Sequence, residues 1–166
     1  MSEKEQVIKE KVENTGVFDF KALYSYAYGW FKNENYSLVE EKYGEKISGD
    51  AKDIYFEWKA TKSFSDYFKV EIGLKFIIAG LKEVEIEIDG KKSKSNKGFA
   101  SIEIKGTLVR DPESKWDATP SWRFMRDLYN KYVIPKRVDD TKDKLISDVK
   151  TFKEELKAFL ELSGRT

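Results

Sequence analysis

The stretch Phe68-Lys69-Val70-Glu71-Ile72-Gly73-Leu74-Lys75-Phe76-Ile77-Ile78 alternates apolar and polar residues at nearly every step. Successive side chains of an extended chain point to opposite faces. A period of two therefore sorts Phe68, Val70, Ile72, Leu74, Phe76 and Ile78 onto one side and Lys69, Glu71, Gly73 and Lys75 onto the other. The neighbouring segments follow the same rule. Ile54, Phe56, Trp58 and Ala60 alternate with Tyr55, Glu57, Lys59 and Thr61, and Val84, Ile86 and Ile88 alternate with Glu83, Glu85, Glu87 and Asp89. Ile102, Ile104 and Leu108 alternate with Glu103, Lys105 and Val109. One apolar and one charged face, repeated along successive segments, predicts an antiparallel sheet covered on one side only. Asp89-Gly90 marks a hairpin, because a type I′ turn needs positive φ at both central residues. The chain is expected to return through Lys91 to Ser95 and to turn again at Asn96 to Gly98.

Helical periods flank this region. Residues 1–15 are charged, with Val7, Ile8 and Val12 among them, and read as a strand. Asp19 reads as the N-cap of a helix whose Phe20, Leu23, Tyr24, Ala27, Trp30 and Phe31 line one face and which ends near Asn33 to Asn35. Beyond Asp111-Pro112, Thr119 as N-cap with Pro120 at the first helical position predicts a helix over 119–134, stopped by Pro135. A last helix is expected from Asp140 or Thr141 to Ser163-Gly164, with Leu145, Val149, Phe152, Leu156 and Phe159 or Leu160 on one stripe. No repeat, low-complexity tract or long linker divides the chain. The predicted architecture is a single α+β domain over 1–166, an antiparallel sheet of six or seven strands covered on one face by three helices.

Composition narrows the chemistry. The 166 residues include no histidine and no cysteine. Without imidazole or thiolate, a typical zinc site, a cysteine nucleophile and a Ser-His-Asp triad are all excluded. The glycines form neither GxGxxG nor GxxxxGK(S/T), and no serine lies in a GxSxG setting. The chain is expected to be no enzyme and to use no cofactor and no metal. Lys plus Arg number 31 against 30 for Asp plus Glu, a net charge of +1 without the basic excess of a dedicated nucleic-acid binder. No apolar run approaches the roughly 18 residues of a transmembrane helix, and the polar start lacks a signal-peptide pattern, so the cytoplasm is the expected location. A chain of this size buries roughly 70% of its unfolded surface and needs no disulfide or metal to fold.

Four groups of residues are candidates for contact with a ligand or partner. Aromatic residues crowd Phe18 to Tyr36, and helical spacing assigns Phe20, Tyr24, Trp30 and Phe31 to the core. Tyr26 and Tyr28 fall off that stripe and are the better candidates for an outside contact. Lys91, Lys92, Lys94 and Lys97 fall within seven residues that hold no acid. Such a hairpin guards a sheet edge against aggregation or touches an anionic partner such as a nucleic acid or a ribosome. Glu83, Glu85, Glu87 and Asp89 share one strand face. At about 7 Å between same-face neighbours, they are expected to pair with Lys69, Lys75 or Lys105 rather than to converge on a cation. In the helix predicted over 119–134, Trp122, Met125, Tyr129 and Tyr132 share one side and Phe124 and Leu128 another. That helix is either sandwiched or offers Trp122 and Arg126 to a protein partner.

Gly-Val-Phe-Asp-Phe at 16–20, Glu-Trp-Lys-Ala at 57–60, Asp-Gly-Lys-Lys at 89–92, Asn-Lys-Gly at 96–98, Ile-Lys-Gly at 104–106 and Arg-Phe-Met-Arg-Asp-Leu-Tyr at 123–129 span most of the chain. With these motifs it resembles a family of small uncharacterised archaeal proteins, a resemblance that implies no site. The predicted element order is similar in topology to the helix-grip fold of START-like lipid-binding domains. The expected function is a non-catalytic binding or adapter protein acting through protein–protein contacts. A rival is a helix-grip carrier of an apolar small molecule or lipid, with Trp30, Phe31, Trp58 and Phe76 lining its pocket. A third reading is ribosome or nucleic-acid association through the lysine hairpin. A filled interior favours the adapter, and an accessible cavity of roughly 300–1,000 Å³ the carrier.

Overall fold

Alternation in 68–78 is realised at the centre of a long strand. The computed structural model describes residues 3–64, 68–110, 124 and 134–163. In chain order these form β1 (Glu3–Phe18), α1 (Phe20–Asn33), β2 (Ser37–Ser48), β3 (Ala51–Ser63), β4 (Phe68–Ile88), β5 (Lys91–Arg110) and α2 (Ile134–Ser163). The sheet has five strands in the order β1-β5-β4-β3-β2, and every neighbouring pair is antiparallel. The fold class is α+β, with five strands and two helices among the described residues rather than six or seven and three.

Both helices lie on the apolar face. Asp19 caps α1 as expected, its Oδ1 accepting the Ala22 N–H at 3.2 Å, and a second acceptor comes from the sheet, Asn96 Oδ1 taking the Phe20 N–H at 3.1 Å. The helix ends at Asn33, and the left-handed Asn35 (φ 67°) turns the chain into β2. In α2, Leu145, Val149, Phe152, Leu156 and Leu160 form the buried stripe foreseen from their spacing. They meet Phe56, Phe76, Ile102 and Ile104 from the sheet and Leu23, Ala27 and Phe31 from α1 in one core.

Three expectations are corrected. The segments at 68–78 and 84–88 are one strand, β4, whose register slips between Ala79 and Lys82. The turn expected at Asn96 to Gly98 is instead continuous β5, paired on both sides through this stretch. Pro135 lies inside the last helix instead of before it. It is the second residue of α2, where its missing N–H would have had no helical partner, so α2 begins at Ile134 rather than near Asp140. Of the helix expected over 119–134, only Phe124, helical and exposed, and Ile134 are described; Trp122 and Arg126 lie outside the described residues. No described helix is long and apolar enough to cross a membrane.

Candidate functional site

The space between sheet and helices is occupied by side chains. Phe18, Phe31, Phe56, Phe76 and Phe152 are all fully buried there, and Trp58 is nearly so. Phe56 stacks on Phe76 at 4.4 Å between ring centroids, and Phe31 meets Phe152 at 4.7 Å. Phe31, Trp58 and Phe76, expected to line a carrier's pocket, are therefore core. Trp30 is half-buried, packed on Phe31 and Phe152, with its indole N–H donating to Glu155 Oε2 at 2.5 Å.

The two tyrosines off the main stripe of α1 separate. Tyr26 is not free for a partner: its ring stacks on Phe159 of α2 at 4.8 Å, because α1 is flanked by a helix as well as floored by the sheet. Tyr28 stays 42% exposed, its ring edge-on to Trp58 at 6.1 Å with the Lys32 ammonium 5.4 Å from its centre. Beside it, Glu40 of β2 accepts both the Tyr24 hydroxyl at 2.7 Å and the Trp58 indole N–H at 3.0 Å. Burial, then the Glu40 contact, pushes the Tyr24 phenol up to about 12. On the other flank, Tyr36 donates to Asp148 Oδ2 at 2.7 Å, and Lys144 reaches Asp148 Oδ1 at 2.9 Å. Burial first, and the Asp148 bond second, hold the Tyr36 phenol far above its ordinary range.

Past the N-terminus of α1 the helix-covered face opens into a cleft of ≈ 550 Å³, with Phe20, Ile54, Leu81 and Tyr43 among its lining. Its charged rim is already paired, Lys52 with Glu45 at 3.7 Å and Lys94 with Glu83 at 3.2 Å. Tyr43, 48% exposed, donates to Glu45 Oε1 at 2.6 Å.

The lysine hairpin and the acidic strand prove to be the two halves of one ribbon. β3 leaves β4 at Leu81 and β1 leaves β5 at Asn96, so 84–88 and 91–95 pair only with each other. Asp89 and Gly90 at the tip have φ of 51° and 78°, the type I′ signature. Glu85 faces Lys94 and Glu87 faces Lys92 across the strands. The acids thus pair with the lysine hairpin, whereas two of the partners expected for them go elsewhere: Lys69 to Glu71 at 3.5 Å and Lys75 to Glu57 at 4.0 Å. The arrangement follows from the turn, since a two-residue loop at 89–90 fixes which positions oppose each other. Among the described residues no three carboxylates are grouped to hold a cation.

The open face of the sheet is divided. One half is a lattice of surface ion pairs with half-buried carboxylates, Lys9–Glu103 at 3.3 Å, Lys42–Glu57 at 3.6 Å and Lys4–Glu71 at 3.8 Å among them. Towards the ribbon the charges give way. Tyr55 and Ile77, opposite one another, are 37% and 46% exposed. The next rows bring Ala79 beside Phe99, then Lys82 facing Lys97, then Val84 and Ile86 facing Ser95 and Ser93. At the base of the ribbon lies a cleft of ≈ 370 Å³ between Thr15, Lys82, Val84, Lys97 and Phe99. Of these, the sequence singles out only Lys97 as a contact candidate and places Val84 on the apolar face of its strand. The signal for the others was a one-residue slip in register at Gly80, which flips which side of β4 faces the helices.

No protein-family model matches the chain, and no curated protein is detectably similar to it in sequence.

Proposed function

We propose that this chain is a non-catalytic binding protein, an adapter that works through protein–protein contacts on the uncovered surface of its sheet. One observation carries the reading: apolar side chains gather at the ribbon end of the open face while aromatic rings fill the interior. Exposed apolar residues scattered singly need no explanation, but a run of them on a face otherwise laced with ion pairs marks an interaction surface. A photo-reactive residue placed at Ile77 should cross-link one protein from the source cell. Excess parent should compete the product away, and an Ile77→Lys chain should not. The same probe at Lys75, on the charged half, should give no such product, and equal labelling from both positions would count against the adapter.

A second reading is favoured by one specific feature. A long helix α2 laid across an antiparallel sheet is what a helix-grip carrier would need, and the 550 Å³ cleft beside Phe20 sets Ile54 and Leu81 within a charged rim, room enough for a small ligand. Stoichiometric uptake of palmitate, lost on Ile54→Lys, would favour this carrier. The nucleic-acid reading loses support, because Lys92 and Lys94 face carboxylates on their own ribbon.

A further inference from the structure

We propose that the dent at the base of the ribbon, on the open face, is an anchor site for a partner segment that places a bulky apolar side chain beside a carboxylate. The proposal rests on the adapter reading and names the chemistry its partner presents. The dent lies where β4 bulges between Ala79 and Lys82. Gly80 sits in the β4 bulge at φ 63°, and a Cβ on Gly98 would meet the Ala79 carbonyl oxygen at 3.0 Å and Leu81 Cα at 3.1 Å. Val84 and Phe99 stand as apolar walls of a space of ≈ 370 Å³, enough for one large side chain.

Charge selects what enters. Lys82 and Lys97 stand directly opposite one another across β4 and β5, and both line the dent. Like charges so placed destabilise a strand pair unless an anion lies between them. Among the described residues Lys82 has only Asp50 at 3.8 Å, a side chain 83% exposed, and Lys97 has no carboxylate partner. The acids of the ribbon do not help. Glu83, Glu85 and Glu87 alternate with Val84 and Ile86 and so project from the other face, where the register sets lysines against Glu85 and Glu87. An apolar hollow with two cations at its rim fits an acidic, apolar segment. It does not fit a second copy of this chain, because a twofold contact centred on the dent would set these lysines against themselves.

The test titrates isotope-labelled protein with a capped pentapeptide of alternating leucine and glutamate, its glutamine counterpart, capped pentaglutamate, and vesicles of phosphatidylglycerol with phosphatidylcholine. The leucine–glutamate peptide should shift the amide signals of Val84, Lys97 and Phe99 saturably. The glutamine peptide and pentaglutamate should each bind about tenfold more weakly, as should the first peptide to a K82S/K97S double variant that is no less stable than the parent. Pentaglutamate binding as well as the mixed peptide would reduce the dent to an unselective lysine pair. Vesicle binding without peptide binding would assign it to lipid, and shifts appearing with protein concentration alone would assign it to a second copy. Any of these, or no shift from any probe, overturns the proposal. Cross-linking at Ile77 is read separately: its survival alongside a failed titration would leave the adapter standing without this anchor, and its loss would remove both.

Discussion

Helix α1 has two flanks, and each carries a tyrosine bonded to a carboxylate at 2.7 Å. On the flank towards α2, Tyr36 and Asp148 are both buried and share their neighbourhood with Phe31 and Phe152. On the flank towards β2, Tyr24 is half-buried and Glu40 is exposed. Equal bond lengths conceal unequal consequences. Removing one partner of a buried pair strands a desolvated group, whereas water takes over at an exposed one. The first flank braces helix to sheet, and the second is a surface that can change its contacts without unfolding the protein.

Urea unfolding of single variants can break that distinction. Phe31→Ala on the sealed flank should cost about 3–5 kcal/mol, a large part of the roughly 5–15 kcal/mol that holds a domain together. A loss near 1 kcal/mol would mean that the sealed flank is not sealed. Tyr36→Phe should cost about 1–3 kcal/mol by leaving Asp148 short of a donor, and Tyr24→Phe no more than about 1 kcal/mol. Equal losses would erase the contrast between the two bonds.

Alkaline pH sharpens it. Every phenol here has an ordinary value of 10.0, with Tyr36 raised far beyond it and Tyr24 and Tyr43 raised to about 12. A raised folded-state value favours the neutral phenol, so this stability is complete below pH 10 and falls as pH climbs through the folded values. Stability followed from about pH 9 to pH 12 should decline in the parent and decline less in Tyr36→Phe. Tyr43→Ala on the open flank should lose about 0.5–1.5 kcal/mol, the worth of its stacking on Phe56. Replacing Lys92 and Lys94 together with serine should cost less than about 1 kcal/mol, since both pairs are exposed.

The sequence was readable where burial is one-sided. β3, the first half of β4 and the last half of β5 alternate because one face meets the helices and the other meets water. β2 went unseen for the converse reason. As an edge strand it is exposed at all positions but Leu38, so burial imposes no period on Ser37–Ser48. The break expected around Asn96 to Gly98 shows a second limit. Asn and Gly signal turns, yet here Asn96 caps a helix 76 residues away in sequence and Gly98 admits a neighbouring backbone. Neither role leaves a local trace. The pairing of the acidic strand with the lysine hairpin was recoverable, because counting outward from the turn at 89–90 sets Glu87 against Lys92 and Glu85 against Lys94. The dent beside Lys97 was not, because a bulge decides it.

The ladder between β1 and β5 joins Glu3 to Arg110. Among the described residues the only sheet neighbour of β1 is β5, the last described strand to be made, so no strand made between them pairs with β1. During synthesis at about 5–20 residues per second, β1 leaves the ribosome several seconds before its partner does. The meander β2-β3-β4 can close by short hairpins in that interval, while β1 and the face of α1 meant for α2 stay uncovered. Closure over such a span is entropically slow, so folding in the millisecond-to-second range is expected, with the N-terminal strand docking late. Its alternating lysines and glutamates then do a second service, keeping a waiting strand from pairing with the wrong neighbour.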